Sequence, residues 1–469
     1  MSFDIPVIVF VVTIGALAIL AVNGALRNAI EKTCVYLFII AHTFYSGIGI
    51  ARPKTDDIYL IHYTVFMICL VAGLRFGLFL LRKKEESPVI QSLGTELTRI
   101  AKVGTILYFI VMLLPLVYPV NRLSDLVRVV INIRNIFERR TAYKADIITY
   151  ALYTLKLILL PLVYVYISRI RSTVKIVIIL AATLYLEVVQ LGYIGRSGLL
   201  SQLFIIIGCV IIHRTGRSVG RVREKETIRT DTADRKMWKG IRRLILVTAV
   251  GLILGMPLLQ DFAAYRSGGT STMSDEESIQ KLIHVETGFP LHYSYCEEYA
   301  VDAEQAENFS ATRYLKWIAT LPIPKFTSSS ADAVNINYRF SELRTGNLYG
   351  TRYFYVLLPS LLGEGILLYG SWFYWIHGLF IGWMVALVIR FLSSVRSLRY
   401  WAVYIALSIV LMARGGSQGA ISVIINYSLI VWVFLAVVLT RDCVKPVLSP
   451  ALKRLLAIIS ERIKKTKEN

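Results

Sequence analysis

Uninterrupted apolar runs of membrane-span length constrain this chain more than any other feature of its sequence. Of its 469 residues, 55% are hydrophobic. They gather in runs of about 17–25 residues, the length that crosses a bilayer as a helix. The sequence therefore predicts an all-α integral membrane protein with about 11 transmembrane helices. The predicted spans are 5–23, 34–50, 58–81, 100–120, 146–168, 173–192, 198–212, 244–259, 363–391, 400–413 and 419–439.

The distribution of basic residues predicts the orientation of these spans. The formal charge is +21, and much of it lies in short links and in the tail. Cytoplasmic links of membrane proteins are enriched in Lys and Arg, so the charge needs no nucleic-acid partner. Eleven spans with the N-terminus outside place these basic links in the cytoplasm.

Three regions follow from this topology. Residues 1–259 hold the first eight spans and a basic cytoplasmic loop near 213–243, and residues 355–469 hold the last three spans and a basic tail. Between them, the polar segment (residues 260–354) lies outside. Within it we predict helices at 275–286 and 297–320.

Several arginines lie on the outer side, where the positive-inside bias disfavours them. Arg196 and Arg414 occupy very short outer turns and have glycine neighbours, while Arg339, Arg344 and Arg352 lie near the end of the polar segment. They could snorkel to lipid head groups or cap helix ends. They could instead share an anionic ligand, because the planar guanidinium matches phosphate oxygens and stays charged. A lipid pyrophosphate fits the depth and the charge.

Charged residues inside the predicted spans normally face a bundle interior. Lys156 and Glu187 could pair with each other, or Glu187 could line an outer cavity beside Arg196. His377 is interpreted as a core histidine with satisfied hydrogen bonds. A Walker A loop, a His-Glu-x-x-His motif and paired cysteines are missing from the sequence, so ATP-driven transport and zinc hydrolysis have no support. We predict neither metal nor cofactor.

Three short stretches carry a family resemblance. Residues 192–200 (GYIGRSGLL) resemble the short Arg-containing turn of bacterial polysaccharide (O-antigen) polymerases of the Wzy type. Residues 359–365 (PSLLGEG) resemble their junction from the large periplasmic loop into the next span, and Arg414-Gly415-Gly416 resembles a third outer turn. The overall layout is also similar to that of the GT-C class of membrane glycosyltransferases.

The resemblance implies a metal-independent glycosyltransferase of the bacterial inner membrane, with its active site facing the periplasm. Such enzymes transfer a chain linked to undecaprenyl pyrophosphate onto a lipid-linked oligosaccharide repeat unit, using a sugar hydroxyl as the nucleophile. Arginines would hold the leaving pyrophosphate, and we expect Arg196, Arg344, Arg352 and Arg414 in this role, with Arg339 in reserve.

A carboxylate or imidazole would accept the hydroxyl proton in this reaction. The candidates are Glu364, His292 and Glu187. Glu364 could instead satisfy a helix start, and His292 could be a surface histidine. Aromatic side chains could stack on sugars, although tyrosine is also common at membrane interfaces. The aromatic candidates are Trp317, Tyr349, Tyr353 and Tyr355, followed by Tyr293, Tyr295, Tyr299 and Tyr314.

Two alternatives stay open at this level. An O-antigen ligase, or another lipid-linked glycosyltransferase, would use the same donor and a different acceptor. A transporter or flippase for lipid-linked sugars would commonly show two related halves, which this sequence lacks. The expected partners are the lipid-linked oligosaccharide, membrane lipid and, from the resemblance alone, a chain-length-regulating membrane protein.

Overall fold

The computed structural model describes residues 3–53, 55–81, 88–113, 147–191, 201, 204–213, 287–302, 309–321, 335–348 and 356–440. Within these ranges every regular element is a helix, which confirms the all-α prediction for this part of the chain. Five helices are long and apolar enough to cross a membrane, or six if one bent pair counts as a single span. The total of eleven spans stays a prediction, and the predicted span 244–259 lies outside the described residues.

The described residues of the first half of the chain form seven helices. They are α1 (Ile5–Asn23), α2 (Ala29–His42), α3 (Ile58–Leu80), α4 (Pro88–Leu113), α5 (Ile147–Ile167), α6 (Thr173–Leu191) and α7 (Phe204–His213). Helix α2 continues into a π-helical turn (Thr43–Gly47) and a 3-10 turn (Ile48–Ala51). Large apolar side chains point outward from these helices, for example Ile61 at 62% and Phe79 at 67% exposure. Lipid contact accounts for such a surface, because a water-soluble protein rarely exposes a continuous apolar face.

The described residues of the second half form eight further helices. They are α8 (Tyr293–Val301), α9 (Ala311–Thr320), α10 (Ile336–Thr345), α11 (Ser360–Phe373), α12 (Trp375–Ser394), α13 (Arg399–Gly415), α14 (Ser417–Ser422) and α15 (Leu429–Thr440). Helix α14 continues through a π-helical turn at Val423–Tyr427. The axis then bends by 54° before α15, where Trp401 donates its indole N–H to Ser428 at 2.9 Å. The predicted span 419–439 is therefore helical but bent.

Two predicted helices are wrong as continuous elements. The span 363–391 is broken, because Gly370 has φ 72° and ψ 175°, and a new helix begins at Trp375. The predicted helix 297–320 is also broken. Helix α8 ends at Val301, Asp302 is extended, and Ser310 caps a separate helix by accepting a hydrogen bond from the Arg313 amide.

The second span was predicted to begin at residue 34, but its helix begins at Ala29, five residues earlier. The prediction excluded Glu31, whose charge is neutralised by a partner in the folded protein. Asn28 caps α2 by accepting from the Glu31 amide at 3.0 Å. The Glu31 carboxylate is fully buried and pairs with Arg390 of α12 at 3.0 Å. A charged residue can therefore stand in the first turn of this span.

Glycines set the closest helix packing in the bundle. Gly73 and Gly77 of α3 pack against the backbone of Leu379 and Trp383 of α12. Gly378 and Gly382 of α12 pack against the backbone of Phe66 and Leu70 of α3, and a Cβ on Gly382 would overlap the carbonyl oxygen of Leu70. Both pairs are spaced as G-x-x-x-G, the pattern that lets helix backbones approach closely in membranes. The α3–α12 pair thereby forms the centre of the described bundle.

Candidate functional site

The described part of the polar segment lies at one end of the bundle. Arg52, just after α2, donates to Thr287 at 2.5 Å, and Tyr59 at the start of α3 donates to Glu297 at 2.7 Å. A Cβ on Gly49 would overlap the Thr287 carbonyl oxygen, so the polar segment packs directly against the 3-10 turn that follows α2. Helices α8, α9 and α10 thus cover the helix ends that the predicted topology places on the outer side.

Beneath these helices lies a buried polar cluster, the Glu364 cluster, formed by Glu364, His377, Ser417 and Tyr314. Glu364 on α11 is 1% exposed. Its Oε2 accepts from the Ser417 amide at 2.5 Å, and its Oε1 accepts from the Ser417 hydroxyl at 2.9 Å. His377 Nε2 lies 3.3 Å from Oε2. The carboxylate is therefore enclosed and fully hydrogen-bonded.

Tyr314 completes this cluster from the polar segment. Its hydroxyl is hydrogen-bonded to the Ser417 hydroxyl, so α9 is joined to the start of α14. Burial first and the nearby Glu364 charge second hold the pKa of Tyr314 well above its usual value. The tyrosine consequently keeps its proton and can serve as the donor to Ser417 Oγ.

Residues 414–418, the Arg414 turn, carry one of the predicted pyrophosphate arginines into this site. Gly416 has φ 76°, and a Cβ there would lie 3.0 Å from Glu364 Oε2. Helix α10 holds the same turn from above, because Asn337 donates to the Gly415 carbonyl at 2.5 Å and Gln418 accepts from the Ile336 amide at 2.7 Å. Arg414 itself is partly buried. Its backbone is thereby fixed from both sides.

A second buried polar group, the Ser360 cluster, stands one helical turn before Glu364. Ser360 is hydrogen-bonded to Ser46 at 3.0 Å and to Tyr293 at 3.0 Å, and Ser46 contacts His42 at 3.1 Å. Ser360 has φ 64°, the one positive value at a non-glycine position in the described part of the chain. Such backbone strain persists only where surrounding contacts hold it, and it concentrates at functional sites. The first turn of α11 is therefore connected to the polar segment at two positions, through Ser360 to Tyr293 and through Glu364 and Ser417 to Tyr314.

A third group, the His292 cluster, lies nearer the surface on the polar segment. Arg344 at the end of α10 stacks on the Tyr295 ring at 3.8 Å and donates to the Tyr295 hydroxyl at 2.9 Å. His292 packs edge-on against Phe340, with 5.9 Å between ring centroids. Burial, and secondarily the Arg344 charge, lowers the pKa of His292. This histidine is accordingly neutral near pH 7, as a proton acceptor must be.

The predicted arginines do not converge on one point. Arg414 lies beside the first turn of α10, whereas Arg344 is in its last turn. Seven residues of helix separate Asn337 from Arg344, about 10 Å of axial rise. Arg339 stands between them and pairs with Glu342 at 3.1 Å. The arginines are thus arranged along α10.

The structure changes the interpretation of several candidates. Glu364 receives a backbone amide at a helix start, the alternative considered from the sequence, although the helix is α14 and not its own. His377 lies in the core, as expected, with Nε2 beside Glu364, but its Nδ1 has no hydrogen-bond partner among the described residues. Tyr293 and Tyr314 are buried and cannot stack on a sugar, while Trp317 stays half-buried, stacked on Tyr314 at 5.9 Å.

Other candidates fall outside the described residues, namely Arg196, Arg352, Tyr349, Tyr353 and Tyr355, together with the predicted helix 275–286 and almost all of the basic loop 213–243. The same holds for the Glu187 side chain and therefore for its pairing with Lys156, which is buried on α5.

Sequence reasoning missed the serines. Ser417 bonds to Glu364 and Tyr314 in the first buried cluster, and Ser360 bonds to Ser46 and Tyr293 in the second. Neither serine stands in a motif of its own. The available signal was positional, because Ser417 directly follows the Arg414-Gly-Gly turn and Ser360 precedes Glu364 by one helical turn. Helix α10 was also unpredicted, although Asn335 caps it by accepting from two backbone amides and Gly346 ends it at φ 70°.

Helix α10 offers no backbone amides to an anion at its start, because Asn335 and Gln418 already accept from the amides of residues 336–338. Anion binding here depends on arginine side chains. Within the described ranges, no three His, Cys, Asp or Glu side chains come together in a way that could hold a metal ion. The chain matches no protein-family model, no curated protein and no solved structure.

Proposed function

We propose that this protein is a polysaccharide polymerase that joins undecaprenyl-pyrophosphate-linked oligosaccharide repeat units at the outer face of a bacterial inner membrane. The observation that carries the proposal is the Arg414 turn, which is fixed against the buried Glu364 cluster from below and against α10 of the polar segment from above. A rigidly held arginine at the membrane surface suits a lipid-anchored pyrophosphate, since preorganised charge stabilises a leaving group without reorganisation.

The proposed reaction needs one cationic and one basic group. The acceptor hydroxyl attacks the anomeric carbon of the donor and forms the new glycosidic bond. The bond from that carbon to the pyrophosphate oxygen breaks, and the lipid pyrophosphate leaves with the electron pair. Arg414 would balance the charge that gathers on this leaving group. The proton of the hydroxyl would pass to the neutral imidazole of His292.

The arrangement along α10 supports this division of roles. Asn337, which holds the Arg414 turn, and Arg344 of the His292 cluster lie at opposite ends of the helix, about 10 Å apart by helical rise, a span that a glycosyl pyrophosphate can bridge. Arg344 and Arg339 lie between or beside them and would contact the remaining phosphate and sugar oxygens. Glu364 is enclosed, so we assign it to holding the turn instead of to proton transfer.

A ligase would share every feature of this donor site and differ in its acceptor. A transporter is the second candidate, and two observations favour it. The bent pair α14–α15 resembles the interrupted helices that bind substrates in transporters, and a buried Glu364–His377 pair inside a membrane protein is typical of ion-coupled transport. The experiment below separates the three.

The first prediction concerns Arg414. In the host strain lacking the gene, Arg414→Ala should leave only single-repeat surface polysaccharide, because the leaving pyrophosphate loses its cation. Arg414→Lys should restore a small fraction of the ladder, since lysine keeps the charge without the planar fork. The measurement is the polysaccharide ladder on a gel, with protein abundance checked by immunoblotting.

Arg99→Ala is the matched control, because Arg99 is an exposed arginine paired with Glu96 on α4. It should give a normal ladder. A normal ladder from Arg414→Ala would refute the donor site. Long chains left on the lipid carrier in the deletion strain would indicate a ligase, and repeat units retained on the cytoplasmic leaflet would indicate a transporter.

A further inference from the structure

Tyr314 connects the polar segment to the Arg414 turn through a continuous chain of buried hydrogen bonds. Its hydroxyl contacts Ser417 Oγ, Ser417 Oγ donates to Glu364 Oε1 at 2.9 Å, and the Ser417 amide donates to Glu364 Oε2 at 2.5 Å. Tyr314 is 3% exposed and Ser417 is fully buried. Water therefore cannot replace a lost member of this chain without rearrangement.

The chain acts on a part of the backbone that needs support. Gly416 holds a left-handed φ of 76°, and its Cα lies directly over the Glu364 carboxylate. Arg414 lies two residues earlier, in the last turn of α13, so the direction of its side chain depends on the geometry of this turn. Ser417 joins the turn to both Glu364 and α9.

We propose that Tyr314 is a positioning residue for Arg414. Through Ser417 and Glu364 it couples the docking of α9 to the conformation of the Arg414 turn, so the arginine is held for anion binding only while α9 is docked. This inference rests on the proposed function for its catalytic consequence. The coupling itself concerns the fold and is measurable without any activity.

Tyr314→Phe tests the coupling with the loss of one oxygen atom. In the full-length protein in lipid nanodiscs, amide hydrogen exchange in residues 311–320 and 414–418 should accelerate together by about fivefold, the effect of one buried hydrogen bond. Ser417→Ala should accelerate the same two segments, and the double variant should add little to either single variant. Tyr63→Phe, which removes a buried hydroxyl bonded to Thr43 at 3.0 Å, should leave both segments unchanged.

Kinetics then test the positioning role. With a purified lipid-linked repeat unit as substrate, Tyr314→Phe should lower kcat/KM about fivefold. In an Arg414→Lys background, which keeps a measurable fraction of the activity, the same change should have much less effect, because lysine has no planar fork to be held in one orientation. A residue that only stabilised the fold would lower activity by the same factor in both backgrounds.

Each result decides a different claim. Unchanged exchange at residues 414–418 in Tyr314→Phe overturns the coupling, whatever the activity. Accelerated exchange with equal activity losses in both backgrounds overturns the positioning role. Accelerated exchange with full activity in Arg414→Ala overturns the proposed function and the positioning role together, and leaves the coupling as a property of the fold.

Discussion

Gly416 shows how one residue can fix the candidate site. Its φ of 76° is strained for any residue that carries a side chain. A Cβ at this position would also lie against the buried Glu364 carboxylate. Gly415, its neighbour, is helical and has open space around the position of a Cβ. The sequence does not distinguish the two glycines, but only at Gly416 does the fold require the absence of a side chain.

We predict that Gly416→Ala lowers stability by about 1–3 kcal/mol, the cost of a strained backbone conformation. It should also abolish polymer formation, because the Arg414 turn must shift away from Glu364. Thermal unfolding in detergent and the polysaccharide ladder measure the two effects. Gly415→Ala should retain both stability and ladder, and equal behaviour of the two variants would contradict the geometry of this turn.

At the scale of the elements, the contact between α3 and α12 depends on small residues. Gly73 and Gly77 of α3, and Gly378 and Gly382 of α12, each pack so closely on the other helix that a methyl group at 73 or 382 would overlap its backbone. Bilayers provide no hydrophobic drive between helices, so such close packing supplies the association energy. The two G-x-x-x-G pairs are visible in the sequence, but which helices they join is not.

Gly382→Val should therefore separate α3 from α12 and cost about 3 kcal/mol, the upper range for overpacking. The expected result is a lower midpoint of thermal unfolding with little properly folded protein at physiological temperature. Gly24→Ala is the matched control, since a Cβ there meets nothing within 4 Å, and it should be neutral. A Gly382→Val protein as stable as wild type would mean that these helices do not touch as described.

Across the whole molecule, the two ends of the bundle are built differently. One end carries the three buried or half-buried polar clusters beneath the polar segment. The other end is closed by Arg390, which pairs with Glu31 at 3.0 Å and donates to the Leu78 carbonyl at 2.5 Å and the Ala25 carbonyl at 2.7 Å. This arginine joins α12 to the residues around the α1–α2 and α3 ends, so it holds four helices together.

Arg390→Met should cost about 3–5 kcal/mol, because it leaves Glu31 buried without its partner. The double variant Glu31→Leu, Arg390→Met should regain part of this loss but not all, since two carbonyl groups still lose a donor. Thermal unfolding gives both values. Arg99→Met removes an exposed pair and should change stability by less than about 1 kcal/mol; a similarly small effect of Arg390→Met would refute a structural role for the buried pair.

Much of the architecture was predictable because it depends on local pattern. Apolar runs gave the helices at 5–23, 58–81, 146–168 and 173–192 nearly to the residue. Hydropathy does not register backbone conformation, so the break at Gly370 and the bend at Ser428 were missed. The hydropathy pattern also excluded Glu31 from the second span, since it contains no information about the partner Arg390, 359 residues away.

The sequence by itself determined that the chain is helical, with apolar runs long enough to cross a membrane, and it identified Arg414, Arg344, His292 and Glu364 as residues of interest. Only the tertiary structure decided their relations. It placed Glu364 against the Arg414 turn at the start of α10, and it brought Arg344, in the last turn of α10, near enough to His292 for its charge to lower the pKa of that histidine. The physical reason is that hydropathy and helix propensity act over a few neighbouring residues, whereas a buried carboxylate takes its role from whichever donors the packed helices bring to it.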